Sequence, residues 1–355
     1  MARLILHIGT HKTATTAIQN ALAQNRAVLE RHGVIYPRIG QEAGHHGLVE
    51  DWVALPLAYR VPGGTDQVWR WLDEAHAKSD RTVILSSEKF CCGRSGSRIG
   101  MAELRARAAR FDRVEVVCAL RDQASLVQSF YMETARHRAP GPFRAFVQTA
   151  LRDGFAGNLW LDYNRLYDHL LTGFAADEIR FVPFDAMRAH AGGPIAHFFD
   201  VLAVGVAPRM LAPPAEGAAH VSPRPLEFLA AHALTAPQFP GAPALALARE
   251  VLGHVLGEGA RGTLFAGDEL VRMKARFAPL NARLAARLRP HDPGFGMPGW
   301  PDDWAGLPGR DALDQEAWTA LARAMFHTPE NASSRALNGP QPDDPAPAPA
   351  APLQG

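Results

Sequence analysis

Three segments of this 355-residue chain hold residue types suited to holding an anion and moving a proton. The first, Gly9-Thr10-His11-Lys12-Thr13-Ala14-Thr15-Thr16, combines a glycine, a lysine and several hydroxyls just ahead of a helical pattern. Unpaired N–H groups at a helix N-terminus, with the positive end of the helix dipole, favour a phosphate or sulfate, and Lys12 adds a mobile charge. The second, Ser86-Ser87-Glu88-Lys89, offers a carboxylate beside an ammonium. An ordinary glutamate ionises at about pH 4.3, so Glu88 is a carboxylate at neutral pH and a candidate general base. The third, Arg121-Asp122, presents a guanidinium suited to gripping phosphate oxygens. Each also has a plainer reading: a capped helix with a surface lysine, an N-cap cluster or surface ion pair, and an arginine solvating a strand end.

What sets these segments apart is the element that precedes each. Leu4–Ile8, Thr82–Leu85, Val114–Leu120 and Ile179–Val182 are short, almost unbroken apolar runs rich in β-branched residues, the pattern of strands buried on both faces. Val34-Ile35-Tyr36, ahead of Pro37, reads as a further short strand. Ile18, Ala21, Leu22, Val28 and Leu29 share one face of a helix ending near Gly33, and further helices are expected at 66–79, 98–110, 122–138, 162–172 and 187–203. This alternation implies an α/β fold, a central parallel sheet flanked by helices. Ligands of such sheets bind beyond the carboxyl ends of the strands. The loop, the carboxylate and the guanidinium therefore converge on one edge of the expected sheet.

Beyond Val204 the strand signal fades. Helices are expected at 224–236, with Ser222 before Pro223 as a start signal, and at 243–257 and 267–289. The Gly-, Pro- and Trp-rich stretch 290–310 reads as an ordered loop or lid. The organisation expected is one domain over 1–290, with its core at 1–203 and a helical part at 204–290. A loop and short helix come next at 291–332, then a disordered Pro/Ala-rich tail at 333–355.

Composition limits the partners. Hydrophobic residues make up 47% and charged residues 21%, and the net charge of +1 gives no global field toward nucleic acid or anionic lipid, so any anion site is local. The opening run Leu4–Ile8 is too short for a signal-peptide core, and no apolar run reaches the roughly 18 residues of a membrane span. Cys91, Cys92 and Cys118 are odd in number and lack metal-ligand spacing, which fits a reduced, cytoplasmic protein.

Ile8-Gly9-Thr10-His11-Lys12-Thr13-Ala14-Thr15-Thr16 resembles the 5′-phosphosulfate-binding loop of the sulfotransferase superfamily, with Ala14 where that family usually has glycine. A helix-compatible conformation at Ala14 would tolerate the exchange. In that family an arginine at a strand end and a serine eight positions later bind the 3′-phosphate. Arg121 and Ser129 have this spacing, and an aromatic pair, Phe130-Tyr131, comes directly after. By helical geometry alone either Ser125 or Ser129 could face an anion held by Arg121; the resemblance selects Ser129. Ser86-Ser87-Glu88-Lys89 resembles carbohydrate sulfotransferases, which carry Glu-Lys after the corresponding strand with the glutamate as base. Phe184-Asp185 resembles a structural Tyr-Glu pair of bacterial members, and His220-Val221-Ser222-Pro223 loosely resembles a segment that completes their nucleotide pocket. The Arg-Lys-Gly-x-x-Gly motif of cytosolic members is absent. The layout resembles the family over about 3–290, with specific motifs only in 7–19, 86–89 and 121–131.

The resemblance implies a P-loop-like fold and a transferase using 3′-phosphoadenosine 5′-phosphosulfate (PAPS), with 3′-phosphoadenosine 5′-phosphate (PAP) as product and no metal. Lys12 and Glu88 would be catalytic, with Gly9, His11, Lys12, Thr13, Ala14, Thr15, Thr16, Arg121 and Ser129 around the donor. His45 and His46, in a Gly-flanked loop, are acceptor-side candidates or plain surface residues. Two alternatives stay open: a P-loop nucleoside or sugar kinase, and a catalytically silent PAPS- or PAP-binding module. The kinase reading lacks support at two points, since His11 stands where Gly-Lys-Ser/Thr loops need glycine and the third strand ends in Leu120-Arg121 with no carboxylate for Mg²⁺. The acceptor, whether glycan, lipid, peptide or small molecule, cannot be read from the donor motifs.

Overall fold

The computed structural model describes residues 1–135, 141–212 and 223–327. Five strands form one sheet: β1 (Arg3–Gly9), β2 (Val34–Ile35), β3 (Thr82–Ser86), β4 (Arg113–Leu120) and β7 (Ile179–Pro183), in the order β2-β3-β1-β4-β7. All their pairings are parallel, so the α/β expectation holds. The remaining strands, β5 (Phe155–Ala156) and β6 (Leu159–Trp160), form a small antiparallel hairpin. The apolar runs alternate between two cores, which is why apolar residues occupy successive positions along them. Leu4, Leu6, Val83, Leu85, Val114 and Val116 face one core, while Ile5, Ile84, Val117 and Val182 face the other. β1 lies at the centre, and its register against β4 slips between His7 and Gly9. The strand that feeds the phosphate-type loop thus ends in a bulge, a device that re-aims the chain leaving it.

The helices are α1 (Thr15–Gln24), α2 (Arg26–Arg31), α3 (Thr65–His76), α4 (Met101–Arg107), α5 (Gln123–Thr134), α6 (Phe143–Asp153), α7 (Tyr163–Leu170), α8 (Phe184–Ala189), α9 (Gly193–Leu202), α10 (Pro225–Thr235), α11 (Ala242–Leu256), α12 (Glu269–Leu288) and α13 (Gln315–His327). Two expected single helices are broken. The one ending near Gly33 divides at Asn25, whose side chain donates to the Ala21 carbonyl and accepts the Ala212 N–H, competing with the helical ladder. The one at 187–203 breaks over 190–192: His190 is extended, Gly193 opens the second helix at φ +70°, and Pro194 lies in its first turn. Helix α6 and the hairpin were not anticipated. The Gly157-Asn158 pair is a hairpin signal, but two apolar residues on each side are too few to reveal strands.

By contacts the chain forms two compact units. The first comprises 1–130, 142–221 and 268–302 and holds the sheet together with α12. Here Gln123 and Asn281 exchange hydrogen bonds of 2.7 and 3.0 Å between their buried amides. The second comprises 131–141, 222–267 and 303–355, with a core of Leu226, Ala230, Ala248, Leu252, Ala317 and Leu321. Among the described residues no helix is long and apolar enough to cross a membrane. The expected tail at 333–355 and the segment His220-Val221-Ser222 lie outside the described residues.

Candidate functional site

The loop after β1 is held in an uncommon conformation. Gly9, Lys12 and Ala14 all have positive φ, at 76°, 64° and 60°. Side chains avoid this left-handed region, and a lysine and an alanine persist there only because their surroundings enforce it. Part of that enforcement comes from Thr10, whose N–H and hydroxyl both donate to the Ala119 carbonyl at 2.8 and 3.1 Å. The Thr13 hydroxyl donates to the Thr10 carbonyl at 2.6 Å. The hydroxyl of Thr13 is therefore a brace of the loop, so any contact of Thr13 with an anion would come through its backbone. Ala14 caps α1 in a left-handed conformation, which corrects the expectation of a helix-compatible position; glycine is the residue that takes this conformation without strain. Ala14 has no side-chain acceptor to cap this N-terminus and no acidic residue lies in its first turn, which leaves the helix dipole's positive end favourable to an anion. Thr15 is buried and Thr16 exposed.

Arg121 reaches the same loop from the end of β4. Its Nη1 donates to the Lys12 carbonyl at 3.0 Å, and its guanidinium carbon lies 5.4 Å above the Phe184 ring. Burial lowers the pKa of Arg121, and the nearby Arg188 cation lowers it further. A partly desolvated cation beside a second arginine attracts an anion strongly. Asp122 accepts the Ser125 N–H at 2.7 Å and so caps α5. Ser125 is buried and Ser129 half-buried on that helix, and the ring of Phe130 lies 6.2 Å from that of His11.

Glu88 opens a one-turn helix after β3, with Ser87 accepting the Lys89 N–H at 3.1 Å as its cap. Its carboxylate accepts from Gln19 Nε2 at 3.1 Å and lies 3.9 Å from His46 Nδ1. A β-carbon on Gly9 would lie 2.9 Å from Glu88 Cβ, so the turn rests directly on the loop. Burial pushes the Glu88 carboxyl up. His11, His46, its own N–H and Gln19 outweigh burial and hold it below the usual carboxylate range. Lys89 is half-buried on the same turn.

The two histidines of the Gly-flanked loop separate. His45 is buried, accepting the Ser86 N–H on Nδ1 at 2.9 Å and bonding the Pro37 carbonyl through Nε2 at 2.9 Å. A backbone N–H can only donate, so His45 is the neutral Nε2–H tautomer, and burial holds its pKa at about 4. It extends the sheet edge beside β3 and has no nitrogen left for a substrate. His46 is instead beside Glu88, bonded to Ser87 Oγ at 2.9 Å, with burial keeping it below the ordinary imidazole value. His7 is buried on β1, with Nδ1 bonded to Ser86 Oγ at 2.8 Å.

The structure thus brings the loop, Arg121, Glu88 and His46 together at the carboxyl ends of β1, β3 and β4, and Ser129 lies on the helix after Arg121. Three nearby residues escaped the sequence reading. Gln19 is a buried polar residue on the apolar face of α1, three positions before Leu22. Tyr163 is buried and donates its hydroxyl to the Arg121 carbonyl, and Arg188 sits on α8 after β7. Only Gln19 left a local signal, since the other two are brought in by topology. A cavity of about 1100 Å³ along the outer edge of β7, lined by Arg180, His197 and Phe295 among others, contains none of the candidate residues. No group of three His, Cys, Asp or Glu side chains converges as a metal site among the described residues. Cys91, Cys92 and Cys118 are free and buried, with Cys91 and Cys118 sulfurs 3.8 Å apart.

No family model matches the chain, and no curated protein matches it. Among solved structures it is similar to a sulfotransferase from Alicyclobacillus acidocaldarius, at 13% identity and a TM-score of 0.47, over 80% of this chain and 95% of that one.

Proposed function

We propose that the protein is a sulfotransferase that moves the sulfuryl group of PAPS to a hydroxyl or amine acceptor. The observation that carries this reading is the meeting of three groups at one sheet edge. They are the N-terminus of α1, which Ala14 cannot cap, the desolvated Arg121 bonded to the Lys12 carbonyl, and Glu88 resting on Gly9. An anion-binding loop, a second cation for another phosphate and a carboxylate base are what sulfuryl transfer from a bisphosphorylated nucleotide requires.

The donor supplies an activated sulfuryl group on a phosphate leaving group. Glu88 takes the proton from the acceptor O–H or N–H as the new bond to sulfur forms and the bond from sulfur to the 5′-phosphate oxygen breaks, releasing PAP. Lys12 and the loop N–H groups face the charge that develops on the 5′-phosphate. Arg121 and Ser129 hold the 3′-phosphate and so set the donor's register. The low basicity of Glu88 fits a base that is ionised throughout the neutral range.

Incubation of the protein with ³⁵S-labelled PAPS and a cell extract, then mass spectrometry of labelled products, tests the reading. A sulfated product whose formation requires the active protein is expected. Mg²⁺-dependent turnover of ATP, with no PAP binding, would replace the reading with a kinase.

A further inference from the structure

Gln19 is 3% exposed, and its side-chain amide donates to Glu88 Oε2 at 3.1 Å. His46 Nδ1 lies 3.9 Å from the same oxygen. A third residue shapes the meeting by having no side chain. A β-carbon on Gly44 would lie 2.8 Å from Gln19 Cδ and Oε1 and 2.8 Å from His46 Nε2. Gly44 has an ordinary backbone conformation, so this close approach is what favours glycine there.

We propose that Gln19 is the positioning residue of the base: its amide fixes the Glu88 carboxylate to the helix whose N-terminus faces the donor. Gly44 leaves the room for Gln19 and His46 to close on it. The inference rests on the reading of Glu88 as the base. A carboxylate on a one-turn helix has several rotamers, and a base helps only when it lies within hydrogen-bond reach of the proton it removes. An amide donor selects one orientation without placing a further cation beside the donor's phosphates. Because Gln19 lies on α1, one rigid element carries both the phosphate-type loop and the restraint on the base. The titratable groups that face Glu88 are His7 from β1, His11 from the loop, Tyr36, His46 and Tyr59 from the segment after β2, and the Cys91 and Cys92 thiols of its own turn. Gln19 donates to Glu88 and is not itself titratable, so its removal changes the carboxylate's restraint without changing any charge.

The test compares wild type, Gln19→Leu and Gly44→Ala on protein carrying ¹³C-carboxyl glutamate, with the Glu88 signal assigned by its loss in Glu88→Gln. Gln19→Leu removes the donor at similar volume, and Gly44→Ala displaces the same amide from outside. In both, the Glu88 titration midpoint is expected to rise by about one pH unit. Once a product is in hand, kcat is expected to fall about ten- to a hundredfold. PAP affinity in calorimetry is expected to stay within about threefold. A midpoint unchanged in both variants overturns the proposal, as does a large loss of PAP affinity with kcat preserved, which would put Gln19 in donor binding. If wild type does not bind PAP, the sulfotransferase reading falls, while the titration still decides whether Gln19 restrains Glu88. If one variant does not fold, the other decides.

Discussion

Gly9 and Glu88 are in contact across neighbouring strands: a β-carbon added to Gly9 would come within 2.9 Å of Glu88 Cβ and 3.2 Å of its Cα. The first residue of the phosphate-type loop and the candidate base thus leave no space for a side chain between them. Gly9 also has φ +76°, so two independent penalties meet at this position.

Gly9→Ala should therefore destabilise the protein by about 2–4 kcal/mol, the sum of a left-handed alanine and a contact that backbone atoms must yield to. Urea unfolding measures it. A loss below about 1 kcal/mol would mean that the turn carrying Glu88 shifts freely.

Ala14 predicts the opposite sign. It occupies φ +60° with nothing but its β-carbon against it, so Ala14→Gly should stabilise the fold by about 0.5–1.5 kcal/mol, part of the gain being offset by the freer unfolded chain. A melting temperature that falls in this variant would show that the loop conformation is imposed at no cost.

Arg121 predicts nucleotide selectivity. PAP should bind well without Mg²⁺ and 5′-AMP poorly. Arg121→Ala should weaken PAP at least about 30-fold, the equivalent of about 2 kcal/mol for losing a charge-assisted pair. Calorimetry giving equal affinity for PAP and 5′-AMP would remove the 3′-phosphate from the site.

Glu88→Gln separates an enzyme from a silent binding module. The amide keeps the shape but accepts no proton, so kcat should fall about 10²–10⁴-fold with PAPS affinity within about threefold. A variant that sulfates at the wild-type rate would pass the role of base to His46 or His11, because His45 is fully engaged.

The buried histidines predict an acid-sensitive fold. His7 and His45 are held at about 4, against 6.5 for an exposed imidazole. Between these values the unfolded chain binds protons that the native state does not. Stability is therefore full above pH 6.5 and falls as pH drops toward 4, each histidine adding a slope approaching about 1.4 kcal/mol per pH unit. His45 cannot take a proton without losing its bond from the Ser86 N–H. Glu88, lowered below the carboxylate range, adds a separate loss at still lower pH. Urea midpoints at pH 7, 6 and 5 check this, and a flat profile would contradict it.

The strands, and the residues at their carboxyl ends, were legible in the chain alone. Leu4–Ile8, Thr82–Leu85, Val114–Leu120 and Ile179–Val182 read as strands because burial on both faces puts apolar residues at successive positions and leaves few polar ones, such as His7, Glu115 and Arg180, and the structure extends each by at most two residues. Since ligands of parallel sheets gather at the carboxyl ends, Gly9, Glu88 and Arg121 could be grouped without knowing the strand order. Packing between distant elements settled the rest. Strand order β2-β3-β1-β4-β7 set Glu88 against Gly9 and Arg121 against the Lys12 carbonyl, contacts between residues 79 and 109 positions apart. His45 and His46 are neighbours with the same side chain, and only packing made one a neutral strut of the sheet edge and the other a companion of Glu88. The conformation of Ala14 was equally hidden, because a backbone dihedral is imposed by the bulge at the end of β1 and the threonine braces. Local patterning reports which face of an element is buried; it does not report what another element presses against that face.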